Sequence, residues 1–163
     1  MAEFLLEALS EEIPARMQKR AAAEFSQILT SELEKVGLAH EPANYFVTPR
    51  RITVSIDGLP LQQSTVVEER RGPRVDAPAA ALDGFMRSNN ISRDQIEERE
   101  TKKGRFYFVE IETKGKLTKE VLPAIIETSL KKFAWPKSMR WGSNSFRWVR
   151  PLHSILAVLE AEV

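Results

Sequence analysis

The chain has 163 residues, 42% of them hydrophobic and 29% charged, which is typical of a soluble globular protein with one domain or two small lobes. Its 24 basic and 23 acidic residues nearly cancel, so the whole-chain charge predicts no polyanion partner and leaves only local clustering. The absence of cysteine excludes disulfides and thiolate metal sites and fits a reducing, cytoplasmic compartment.

A short strand and a long helix are predicted for the first part of the chain. Residues 4–9 are apolar enough for a strand, and Ser10 can cap the helix that follows. Glu11 and Glu12 suit the positive end of the helix dipole; an acid–base or metal pair is the less economical alternative. Apolar side chains then recur every three or four positions until Gly37 ends the helix: Ile13, Met17, Ala21, Phe25, Ile28, Leu29, Leu33 and Val36.

Two further strands are predicted at residues 45–48 and 52–56, on either side of Pro49, Arg50 and Arg51. Alternation in the second strand places three apolar side chains on one face: Ile52, Val54 and Ile56. In an extended chain Arg50 and Arg51 point to opposite faces. One could then contact a phosphate or a partner's carboxylate while the other braces the fold through an acidic residue, and both possibilities stay open.

The middle of the chain predicts a strand, a small helix and a hairpin. The strand covers residues 66–71, and the helix covers 79–90. Residues 92–95 have the spacing of a capping box that opens a short helix. A turn at 103–104 then joins the two arms of a hairpin, the second of which extends to residue 113.

A second amphipathic helix is predicted after Thr118, which can serve as its cap. Its inward-facing positions follow a 3.6-residue period: Val121, Leu122, Ile125, Ile126, Ser129, Leu130 and Phe133. Lys131 and Lys132 fall in its last turn, where the dipole favours cations. Residues 149–163 read as one long strand or two.

Strands and helices that are mixed without a regular βαβ order predict the α+β class. We expect a mixed, mostly antiparallel sheet, or more than one, packed by two main amphipathic helices. Possible sub-lobes are residues 1–72 and 73–163.

Residues 136–153 hold two of the three tryptophans together with Arg140, Arg147 and Arg150. Arginine pairs with phosphate and stacks on aromatic or base faces, so basic and aromatic residues at this density are one way to build a nucleic-acid surface. The alternative is a strand and turn with buried aromatics and solvated arginines.

No motif of an independent active site occurs in the sequence. It has no phosphate-binding glycine loop, no G-x-S-x-G, no H-E-x-x-H and no cysteine-based zinc spacing. Its histidines are His40, which we interpret as a surface residue, and His153, which could serve a site but is more simply a hydrogen-bonded strand residue. We therefore expect no catalytic, cofactor-binding or metal-binding residue. The acidic N-terminus is not a signal peptide, and no apolar stretch reaches membrane-spanning length.

Five short motifs follow one another along the chain: F-L-L-E-A-L-S-E-E-I-P-A at residues 4–15, T-P-R-R-I at 48–52, R-G-P at 71–73 with G-F at 84–85, P-K-S-M-R-W-G at 136–142, and F-R-W-V-R-P-L-H at 146–153. In order and spacing they resemble the bacterial glycyl-tRNA synthetase beta subunit, whose corresponding motifs include T-P-R-R-L, P-K-x-M-R-W-G and F-x-R-P-x-H. The departures are mild: A-L for I-G at residues 8–9, serine for threonine at Ser10 and methionine for alanine at Met86.

The resemblance implies that the chain is the N-terminal part of a longer beta subunit of a glycine–tRNA ligase. A separate alpha subunit would carry the class II site where glycine and ATP react, within an alpha2beta2 heterotetramer. The beta subunit supports tRNA binding and assembly, and its anticodon-binding region lies beyond residue 163. No cofactor is then expected in this chain, and the expected partners are the alpha subunit and tRNA, with no membrane.

Two hypotheses follow for the role of the chain itself. In the first it holds tRNA or the alpha subunit, and seven residues are the candidate contacts: Arg50, Arg51, Lys137, Arg140, Trp141, Arg147 and Arg150. In the second it is a structural or protein-interaction scaffold without direct RNA contact, and the same arginines pair with carboxylates.

Overall fold

The computed structural model describes residues 1–143 and 145–160, and the chain divides into two compact units. One unit combines Met1–Ser64 with Lys116–Val163, and the other is Thr65–Gly115. The division therefore falls elsewhere than at the predicted boundary between residues 72 and 73. The reason is that the last strand returns to pair with the first strand, so the middle of the chain is an insertion.

The described residues form seven strands and three α-helices, with a short 3₁₀ turn at Arg93–Gln95. In chain order these elements are β1 (Ala2–Ser10), α1 (Ala15–Lys35), β2 (Asn44–Thr48), β3 (Arg51–Leu59), β4 (Val66–Arg74), α2 (Ala79–Asn89), β5 (Ile96–Thr101), β6 (Gly104–Thr113), α3 (Thr118–Lys132) and β7 (Leu152–Leu159).

Both sheets are antiparallel. The first unit holds a four-stranded sheet in the order β2-β3-β1-β7, and the second holds a three-stranded sheet in the order β4-β6-β5. The predicted α+β class is confirmed, and the two predicted amphipathic helices are α1 and α3.

The core of the first unit lies between its sheet and the two helices. The alternation predicted for β3 is confirmed, since Ile52, Val54 and Ile56 are all buried against helix side chains. From α1, the inward stripe contributes Ala21, Ala22, Phe25, Leu29 and Leu33. Burying apolar side chains of this kind supplies the main favourable term in folding.

The second unit brings two of the sequence motifs together. A Cβ added to Gly72 of β4 would lie 2.8 Å from the ring of Phe85 in α2, so only glycine allows this approach without a shift. On the same strand, the guanidinium of Arg71 lies 4.7 Å from the centre of the Phe106 ring in β6. Both motifs therefore have a packing role inside this unit.

Two predicted helix caps are wrong. Ser10 is the last residue of β1, and its amide donates to Arg50 O at 2.9 Å, so the ladder continues where a helix was expected to begin. α1 begins at Ala15 after Pro14, which leaves Glu11 outside the helix. Thr118 is buried as the first residue of α3, and its hydroxyl donates to Pro60 O instead of capping the helix.

Gly37 ends α1 in the left-handed region, with φ +75°, and the amide of Leu38 then donates to Leu33 O at 3.1 Å. This is the helix ending that the sequence predicted.

Replacing Gly37 by alanine is expected to lower the free energy of unfolding by about 1 kcal/mol. Nothing lies within 4 Å of an added Cβ, so the cost is conformational and not steric. Urea unfolding measures it, and Gly37→Asn is the control, since asparagine tolerates this conformation better and should lose less. An alanine variant as stable as the parent would contradict the assigned helix ending.

Candidate tRNA or partner interface

The segment between α3 and β7 is a loop held by a cluster of aromatic rings. Its only regular pairing among the described residues is an isolated bridge, in which Met139 N donates to Trp148 O at 2.8 Å. Trp148 is 1% exposed, and its ring lies 5.0 Å from Trp135, 5.5 Å from Phe133 and 6.1 Å from Phe25, measured between centroids. These rings belong to the core of the first unit.

Trp141 lies at the outer edge of the same cluster. Its ring packs edge-on against Phe146 with the centroids 6.0 Å apart, and Phe146 in turn stacks on Trp148 at 6.0 Å. Trp141 remains half-buried, so part of its ring faces solvent.

Arg147 and Arg150 contact the backbone of their own loop. Arg147 donates from Nε to Ser138 Oγ at 3.0 Å and from Nη2 to Ser138 O at 3.1 Å, which closes the loop across nine residues. Arg150 donates from Nη1 to Val149 O at 3.0 Å.

Lys137 and Arg140 differ from the other candidate cations. Both are exposed, and neither forms a hydrogen bond or ion pair with any residue that the structure describes. Met139, which lies between them in the sequence, pairs with Trp148 and anchors this segment. Two exposed cations on an anchored backbone are thus available to a partner outside the unit.

Arg50 contacts Glu11 at the end of the sheet. Its Nη2 lies 3.4 Å from Glu11 Oε1, and its Nε donates to Ser10 O at 3.3 Å. The same carboxylate oxygen lies 2.6 Å from His153 Nε2, so Glu11 joins the β2–β3 turn to β7. The hydrogen bond from His153 and the charge of Arg50 lower the pKa of Glu11 below its usual value of 4.5.

Arg51 is paired on the sheet face that lies away from the helices. Its Nε lies 3.3 Å from Glu7 Oε1 in β1, and the Thr53 hydroxyl donates to the other oxygen of that carboxylate at 3.4 Å. Arg50 and Arg51 are therefore both paired with acidic residues of their own chain.

Because the pKa of Glu11 is lowered, its contribution to stability is fully present above pH 4.5 and is lost as the pH falls through its folded-state pKa. Glu11→Gln is therefore expected to lower the melting temperature at neutral pH and to reduce the loss of stability on acidification from pH 5 downward. Thermal melts from about pH 7 to 3 test this, with exposed Glu12→Gln as the control. If the melting temperatures of the parent and of Glu11→Gln changed with pH in parallel, the prediction would be contradicted.

Sequence reasoning missed a cavity beside the loop. It has a volume of about 280 Å³ and is lined by Arg16, Met17, Arg20, Ala21, Glu24, Phe133, Trp135 and Pro136. The buried indole nitrogen of Trp135 has no hydrogen-bond partner among the described residues. The i, i+4 spacing of Arg16 and Arg20 was the one sequence signal that could have indicated this side of α1. Arg20 is engaged with Glu24 at 2.6 Å.

The described residues contain no group of three or more histidine, aspartate or glutamate side chains placed to hold a metal ion. None of the described helices is both long enough and apolar enough to cross a membrane. The fold and the loop define a class of protein domain: an α+β module that presents exposed cations on a loop anchored by aromatic side chains.

The particular family follows from comparison with known proteins. The sequence profile of the family described as "Glycyl-tRNA synthetase beta subunit" matches residues 4–163, so the chain belongs to this family. It is 48% identical over 162 residues to the glycine–tRNA ligase beta subunit of Paracoccus denitrificans, covering 99% of this chain and 24% of that protein. The corresponding protein of Rhodospirillum centenum is 49% identical over 164 residues, with 100% and 23% covered. The chain spans about a quarter of the length of these relatives.

Proposed function

We propose that the chain is the N-terminal, non-catalytic part of the beta subunit of a glycine–tRNA ligase and that it supports tRNA binding through Lys137 and Arg140. The ATP-dependent formation of glycyl-tRNA would take place on the separate alpha subunit of the complex. The observation that carries the proposal is that these two candidate cations are exposed and unpaired among the described residues.

A fixed loop makes such cations effective. The bridge at Met139 and the buried Trp148 anchor the segment, so the backbone beneath the two cations loses little conformational freedom when a phosphate binds. Trp141, half-buried beside them, offers part of its ring for stacking on a base. Each phosphate that a cation neutralises releases counterions, which makes affinity depend on salt.

Arg140→Ala in the intact ligase is expected to weaken tRNA binding and to lower the slope of log affinity against log salt by about one unit. A salt titration of tRNA affinity measures both quantities. Lys35→Ala is the control for the loss of an exposed cation elsewhere in the unit, here one that is paired with Glu32. Lys35 lies about 28 Å along α1 from Arg16, which lines the cavity beside the loop. An unchanged affinity and slope for Arg140→Ala would remove this residue from the tRNA contact.

A second candidate function, a scaffold that assembles with the alpha subunit without touching RNA, is supported by the ion pairs of Arg50 and Arg51. In that case Arg150→Glu, which loses the contact with Val149 O, melts the chain at lower temperature or weakens subunit association. Affinity for tRNA in the assembled enzyme would then be set by other residues.

A further inference from the structure

The sequence of β7 does not fit its position at the edge of the sheet. From Leu152 to Leu159 only His153 and Ser154 are polar, and the strand has no proline, lysine or acidic residue. A nearly continuous apolar run is typical of a strand that is covered on both faces and paired on both sides. Nevertheless β7 is the outermost strand, and Ile155 and Leu156 are 44% and 39% exposed.

The opposite edge is built differently. β2 has five residues, and Pro49 follows it directly. A short strand next to proline is one way in which natural sheets prevent further strands from adding to an edge. β7 is longer, with eight residues. Pro151 and a register shift against β1 lie at its N-terminal end, so the stretch from Ser154 to Leu159 carries no such feature.

The two exposed apolar side chains of β7 lie on opposite faces. Ile155 pairs with Ala8 and therefore lies on the helix side, whereas Leu156 pairs with Glu7 on the other side. A helix or loop laid on one face would cover only one of them. A strand added beside β7 brings neighbouring side chains to both faces at once.

The backbone after β7 is shaped for a reversal of direction. Glu160 has φ +56°, and its amide donates to Glu3 O at 2.8 Å, so the pairing with β1 continues to this residue. Left-handed residues directly after a strand are what tight hairpins require. The chain covers 24% of the Paracoccus denitrificans relative, so family members carry ample polypeptide to supply another strand.

From these observations we propose that, in the full-length subunit, polypeptide that follows residue 163 adds an antiparallel strand to the free edge of β7 and buries Ile155 and Leu156. β7 is then an interior strand, and the four-stranded sheet is the incomplete form of a larger one. The proposal is independent of tRNA binding.

Photo-crosslinking in the full-length subunit tests the identity of the occupant. A benzophenone amino acid at position 155 is expected to crosslink to a peptide of the same chain beyond residue 163, identified by mass spectrometry. Position 45 is the control, because Tyr45 is 43% exposed, lies on the edge strand β2 and pairs with Val54 on the helix side. Crosslinks from position 155 to a second copy, to the alpha subunit or to tRNA, or no crosslink at all, would overturn the proposal.

Hydrogen exchange gives a second test without any substitution. About half of the β7 amides point away from β1, and in the full-length subunit these should exchange at least tenfold more slowly than in the 163-residue chain. The amides of β2 should exchange at similar rates in both proteins. Equal exchange of the β7 amides in the two proteins would show that the edge stays open and would contradict the added strand.

Discussion

Trp148→Ala is expected to lower the free energy of unfolding of the first unit by about 3–5 kcal/mol, which is a large part of the 5–15 kcal/mol typical of a domain. The ring is 1% exposed and contacts rings from α1, from the segment after α3 and from its own loop. Removing it leaves a cavity at the point where these three parts meet. Urea unfolding followed by far-UV circular dichroism measures the loss, since the substitution removes a fluorophore.

Trp141→Ala is the matched control. It removes the same side chain from the same loop, but this ring is half-buried and its ring contact is with Phe146. A loss of about 1 kcal/mol is expected, the magnitude of one aromatic pair. Equal losses for the two variants would mean that the cluster does not centre on Trp148. Under the proposed function, Trp148→Ala in the intact ligase should also weaken tRNA binding, because Lys137 and Arg140 lose their anchored loop.

The individual helices and strands could be predicted because their buried positions recur with a period that is visible in the sequence. Alternation placed Ile52, Val54 and Ile56 on the core face, and the stripe ending at Gly37 identified α1. Both signals depend on neighbours within a few residues, so no knowledge of the tertiary structure was needed.

The partners of the candidate cations could not be predicted, because they are far apart in sequence. Glu11 contacts Arg50 across 39 positions and His153 across 142. The pairing of β7 with β1 brings His153 to Glu11, and the pairing of β3 with β1 brings Arg50 to it; nothing in the local pattern specifies either pairing. The β1–β7 pairing explains why the first unit combines the two ends of the chain, and the β1–β3 pairing explains the wrong cap at Ser10, whose amide donates to Arg50 O.

The loop at residues 136–150 combines the two interpretations that its composition left open. Trp148 is a core residue, Arg147 closes the loop, and Lys137 and Arg140 are free of partners among the residues described. Composition could not separate these roles, because buried and exposed positions do not recur at a fixed spacing along an irregular loop. The proposed tRNA contact consequently narrows from seven residues to those that the fold does not already use.

Val54→Asp is expected to destabilise the first unit by about 4 kcal/mol near neutral pH. Val54 is 0% exposed in β3, where its register neighbours are Leu6 on one side and Tyr45 on the other. An aspartate here would place a carboxylate among apolar side chains without a partner. Ser55→Asp is the control, since the next residue along the strand lies on the face away from the helices and is half-buried.

The pH dependence of the two variants separates the cost of charge burial from a general loss of strand propensity. Burial raises the pKa of a carboxyl group, so the penalty is present above its unfolded-state pKa and diminishes as the pH falls toward that value. The stability gap between Val54→Asp and Ser55→Asp should therefore narrow between pH 7 and about 4, as measured by urea unfolding. A gap that stays constant, or a Ser55→Asp variant as unstable as Val54→Asp, would contradict the assigned faces of β3 and with them the open face on which Arg51 and Glu7 pair.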